Sequence, residues 1–199
     1  RHFWDEFKAG WYTLRENRTL WALSWFVSFF NATALSFELM VIFFVKDELH
    51  WSAAQVGIVL SCAGMGGLLG SLLTETLRRR IGLGACLALS LIGLALTYSL
   101  TGLYGNSFAI GLALFFYGFA TTMQNICIWA FRHETTSAPL MGRIGGMTGS
   151  IFKIGVPFAL IASGWLADFS GARAVFIVCG LVQIVVFFLW IRSAVYRQQ

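Results

Sequence analysis

The chain has 199 residues, 58% of them hydrophobic and 12% charged, with a mean hydropathy of +0.74 and a formal net charge of +5. Soluble domains carry about 25% charged residues, so the composition excludes an ordinary soluble domain and reads as a membrane protein. The positive balance reflects membrane topology and implies no nucleic-acid partner.

In residues 1–18, Phe3, Trp4, Phe7, Trp11 and Leu14 share one helical face, with charges of both signs opposite. Two readings fit: a linker helix lying in the membrane interface, or an amphipathic linker packed on other protein. The chain opens on Arg1 in the middle of this pattern, as an excerpt from a longer protein would. Six apolar segments follow, near 19–45, 53–77, 84–102, 108–131, 143–166 and 173–191. Each is long enough to cross a ~30 Å hydrocarbon core, which takes about 20 helical residues. Period-two alternation is absent, which argues against a β-barrel. The expected organisation is all-α: a linker helix 1–18, a six-helix transmembrane domain 19–191 and a cytoplasmic tail 192–199.

In the first span Ser24, Ser28, Asn31 and Glu38 fall on one face. Glu38 lies about 10 Å from the outer end at 1.5 Å per residue, where an ionised carboxylate needs a partner, a proton or water. It is the first candidate for a coupling residue, and a glutamate hydrated at the outer rim with Lys46 is the plain alternative. The second span opens on a capping-box pattern, Ser52 with Gln55, carries Gly66, Gly67 and Gly70 for close packing, and ends in Glu75, Arg78, Arg79 and Arg80. The arginines are expected to clamp the cytoplasmic surface or to serve topology alone. The third and sixth spans are apolar nearly all round and are expected to face lipid.

In the fourth span Tyr117, Thr121, Gln124 and Asn125 form a second polar cluster. Singly, such residues serve interhelical hydrogen bonds worth ~0.6 kcal/mol on average. Two polar faces together predict a cavity lining. The fifth span pairs Gly142 with Gly146 and Gly145 with Gly149, spacings that let a partner helix approach. Lys153 continues the face Gly145–Gly149–Lys153–Pro157, so it is expected where this helix packs closely. Pro157 cannot donate to the Lys153 carbonyl and predicts a bend there. Lys153 sits roughly 15 Å deep, either snorkelling to the cytoplasm or serving a cavity or an interface between halves.

Eleven of the fourteen Lys and Arg residues fall on one side of this topology, while Lys46 and Arg173 fall on the other and Lys153 within a span. Both termini are therefore expected in the cytoplasm. Cys62, Cys86, Cys127 and Cys179 sit singly in different apolar helices, which reads as packing rather than metal binding. No HExxH, nucleophile elbow or phosphate loop occurs, so neither an enzyme nor a cofactor is expected. Sliding the chain by 94 residues superposes Gly70, Leu72 and Arg79 on Gly164, Leu166 and Arg173, Thr74 on Asp168, and Asn31 on Asn125. The helices then pair in the order of a 3+3 inverted repeat.

The stretches SAAQVGIVL, GGLLGSLLTETLRRRIG, PLMGRIGGMTGSIF and SGWLADFSGARAVF resemble the C-terminal six-helix half of a major facilitator superfamily transporter. The branch resembled holds bacterial macrolide efflux pumps and the enterobactin exporter. The family's cytoplasmic loop motif, roughly GxLaDRxGRR, is degenerate at 70–80, where Thr74 stands at the aspartate, and is closer to pattern at 164–173 on the outer side. The resemblance implies that the first and fourth spans line the cavity, that the second and fifth meet the other half, and that the third and sixth face lipid. It further implies proton-coupled alternating access in the bacterial inner membrane, exporting a small amphipathic molecule. The implied partners are lipid, an N-terminal six-helix half in the same chain or a second subunit, the substrate and protons. A scaffold or sensor that kept the fold is the alternative, and a self-assembled pair of six-helix chains is a further one.

Overall fold

The computed structural model describes residues 11, 12, 14–135, 141–193 and 196. Most of the expected linker 1–18 and tail 192–199 lies outside them. Leu14 is fully buried among the bundle's apolar residues, and Trp11 packs edge-on to Trp21 at 5.3 Å.

The described residues form helices α1 (Arg18–Phe43), α2 (Ala53–Ile81), α3 (Leu83–Leu103), α4 (Ser107–Thr135), α5 (Met141–Ile154), α6 (Val156–Ser170) and α7 (Ala172–Arg192). A π-helical turn, Phe44–Glu48, extends α1, and α5 and α6 together make the fifth of six spans long and apolar enough to cross a membrane. Local chemistry sets the ends. Asn17 Oδ1 accepts from Leu20 N at 3.0 Å to start α1, and the Ser52–Gln55 capping box starts α2. Gly82 and Gly171 each end one helix and begin the next at φ +82° and +77°, where a β-carbon would clash with the backbone. The fifth span breaks at Gly155, two residues before Pro157.

Packing follows an exchange rule. α2 crosses α4 as the fifth span crosses α1; α3 lies on α4 as α7 lies on α1; α3 and α7 pack on each other. Swapping the first three spans with the last three maps this set onto itself, the pattern of an inverted repeat. The register differs from the one expected. Gly171 follows Gly82 by 89 residues, and the same interval separates the starts of α1 and α4, the ends of α2 and α6 and the ends of α3 and α7. At that interval Arg79 is matched by Asp168 and Asn31 by Ala120, so the pairs at 94 are not structural counterparts. Glycine and leucine coincide often in apolar helices; turns and caps are what fix the register.

A true counterpart is Gly66 with Gly155. A β-carbon on Gly66 would collide with the Phe115 carbonyl, one on Gly118 with the Ala63 carbonyl, and one on Gly155 would come within 3.2 Å of Ser28 Oγ. The buried residues form two apolar clusters, one around Leu23, Leu91, Cys127 and Trp190, the other around Phe37, Tyr98, Leu114 and Phe176. The third span is not lipid-facing all round. Leu87, Leu91, Leu94 and Tyr98 are buried in the bundle, and only one stripe, with Leu89, Leu96, Leu100 and Leu103, is exposed. α2 and α6 are the open helices, with Ile58, Leu68, Leu72, Phe158, Trp165 and Phe169 on their surfaces.

Candidate functional site

Tyr117, Thr121 and Asn125 stand four apart on α4, so each advances only about 40° around the helix and the three share a face. That face meets Asn31 and Glu38 of α1 and Lys153 and Pro157 of the fifth span across a cavity of about 600 Å³. Asn31 Nδ2 donates to the Phe152 carbonyl at 2.9 Å and ties α1 to the fifth span just before its break. Tyr117 Oη lies 3.2 Å from the Ala34 carbonyl and 3.3 Å from Glu38 Oε2, so its one proton serves either acceptor. Thr121 Oγ1 donates to its own helix at the Tyr117 carbonyl, 2.8 Å away. Lys153 is exposed, and among the described residues its ammonium makes no ion pair.

Gln124 does not reach the cavity. It is 4% exposed and accepts from Ser90 Oγ of α3 at 3.3 Å. One residue before Asn125 it is turned by about 100°, which carries it off the polar face and toward α3. Ser24 and Ser28 are likewise buried, Ser24 donating to the Leu20 carbonyl and Ser28 lying beneath Gly155.

The glycine stripe of the fifth span is not closely packed within this fold. Among the described residues, a β-carbon on Gly142, Gly146 or Gly149 would meet nothing within 4 Å, and one on Gly145 would approach only Arg132. The face α5 buries carries Met147, Thr148 and Ile151. Lys153 and Pro157 therefore lie on the open side, not at a tight contact inside the bundle.

The Major Facilitator Superfamily model matches residues 22–198, a stretch that takes in all six spans except the first turn of the first. The chain belongs to the Major Facilitator Superfamily. Among curated proteins, none matches it. It is a membrane transporter domain, and its bundle has the architecture of one half of a major facilitator fold.

At the arginine-rich end of this superfamily member, Arg78 pairs with Glu134 and lies 3.8 Å from Glu75, so it links α2 to α4. Arg79 Nε donates to Glu75 Oε1 at 2.9 Å, and Arg80 makes no ion pair among the described residues. Gly70 lets α2 close on Phe119, and Thr74, standing where the superfamily motif has aspartate, is buried and bonded to the Gly70 carbonyl at 2.5 Å.

Arg132, one residue past the expected end of the fourth span, is 5% exposed, with its guanidinium 4.6 Å over the Trp129 ring and 5.6 Å from Phe152. The one sequence signal for it was Trp129 one turn earlier. At the opposite end Glu48 Oε1 accepts from Ala172 N at 2.9 Å and caps α7, and Arg173 stacks 5.5 Å over Phe44. Asp168 of the outer motif copy is exposed and takes no part in this cap. Among the described residues no cluster of His, Cys, Asp and Glu has a metal-binding arrangement.

Proposed function

We propose that this domain exports a small amphipathic molecule of drug or siderophore-like class by alternating access, exchanging it for protons across a bacterial inner membrane. The observation that carries the reading is the convergence of Glu38, Tyr117 and Lys153, from three different spans, on one cavity. A titratable carboxylate beside a hydroxyl donor in a water-filled cavity is the arrangement a coupled proton needs. In this reading the arginine-rich end is cytoplasmic, a second six-helix half covers the open faces of α2 and the fifth span, and the Gly142–Gly149 stripe is where that half approaches. Arg78, Arg79 and Arg80 then hold the cytoplasmic surface in one of the two access states.

The test is substrate-driven proton movement in vesicles. Glu38→Gln should lower it at least about tenfold, with insertion and thermal stability unchanged. Wild-type rate and pH dependence in that variant would leave the scaffold or sensor reading.

A further inference from the structure

The polar cavity has two layers of opposite sign. Counted along the helices from their arginine-rich ends at 1.5 Å per residue, Asn125 and Lys153 stand about 15 and 18 Å deep, and Tyr117 and Glu38 about 27 and 30 Å. The inner layer is cationic and donor-rich, and the outer layer is anionic. Roughly 12 Å separates them.

Several of the lining's donors are already committed. The Asn31 amide is bound to the Phe152 carbonyl, the Thr121 hydroxyl to its own helix, and the Tyr117 hydroxyl to Ala34 or Glu38. The side chains of Asn125 and Lys153 are exposed to the cavity and make no hydrogen bond or ion pair among the described residues. Among the described residues they are the lining side chains whose donors are all uncommitted, at similar depth on helices that meet at the cavity. While the cavity is open, water hydrates the ammonium. Closing over it unpaired strands a cation in a dry site, which is strongly disfavoured. A bound anionic group removes that cost, and Glu38, held beside Tyr117, stands ready for a cationic group at the other layer.

From this we infer that the cavity is built for a dipolar substrate, an amphipathic zwitterion whose anionic oxygens bind Lys153 and Asn125 and whose cationic group points to Glu38. The inference rests on the transporter reading and names the substrate class of the same site.

A matched pair of dyes tests it: a rhodamine with a free carboxylate, zwitterionic at neutral pH, and its ethyl ester, which keeps the aromatic body and the cationic charge. Binding is measured by fluorescence polarisation on the full-length protein in nanodiscs, and proton-driven dye movement in vesicles. The acid should bind about tenfold or more tighter than the ester. Lys153→Met should erase that preference by weakening the acid alone, and Lys153→Arg should keep it, with elution profile and melting temperature checking each variant. Asn125→Ala should weaken the acid about threefold and leave the ester unchanged. Equal binding of acid and ester in the wild type, a preference that survives Lys153→Met, or no saturable binding of either dye overturns the inference. Proton-driven movement of the ester at the acid's rate would sink the inference and spare the transporter reading. Proton-independent movement of both dyes would sink that reading itself.

Discussion

Gln124 and Asn125 are neighbours in sequence and do opposite work. The glutamine spends its carbonyl on Ser90 inside the bundle, while the asparagine faces the cavity with Lys153. Gln124→Leu should therefore cost under about 1 kcal/mol, the range of an interhelical hydrogen bond in a membrane, and leave transport intact. Asn125→Leu should leave stability alone and impair transport. Melting temperature and vesicle uptake of the two variants check this pair, and the reverse pattern would refute the placement. Composition alone could not separate them, because both are amides on one polar stretch and only the helical phase, set by packing on α3, decides which turns inward. Glu38 and Thr121 were easier to foresee, since a polar group among apolar neighbours has few places to go. Arg132 was hidden by the opposite bias: an arginine near a span end reads as topology, and its burial against Trp129 and Phe152 depends on the fifth span returning beside it.

Among the elements, the spans themselves were plain in the sequence, because runs of some 20 apolar residues have one use. What those helices do sideways was not. Gly66 and Gly146 sit in similar small-residue stripes, yet a β-carbon on Gly66 would run into the Phe115 backbone, while one on Gly146 would meet no described residue within 4 Å. Gly66→Ala should destabilise the fold by about 3 kcal/mol, the upper range for overpacking. Gly146→Ala should change the stability of the bundle by less than about 0.5 kcal/mol. If the second half docks on the fifth span, the Gly146 variant should instead slow transport. Thermal melting with uptake distinguishes the two glycines. The arginine-rich end offers a test of its own. Glu134→Arg sets like charges together across α2 and α4, and Arg78→Glu added to it should restore the tie. The coupling expected for such a half-exposed pair is about 0.5–1 kcal/mol, and additive effects in the double variant would show that Arg78 and Glu134 hold nothing together.

For the whole molecule, the exchange symmetry has a consequence for how the chain is made. Consecutive helices inside each three-span unit touch little beyond their turns, while α2 rests on α4, α3 on α7 and α1 on the fifth and sixth spans. Neither unit closes a core by itself. Trp190, near the end of the last helix, is buried against Phe26 and donates to the Gly84 carbonyl at 3.0 Å, joining the final span to the first and third. A ribosome delivering the spans in order thus leaves α2 without its partner until the fourth span arrives, and leaves the faces of α1 and α3 that meet α7 bare until the sixth. Chains halted before Ala172 should be cleared by membrane proteases many times faster than complete ones, as pulse–chase labelling would record. The interlocked repeat should make the stability of a partly made bundle hinge on the arrival of α7.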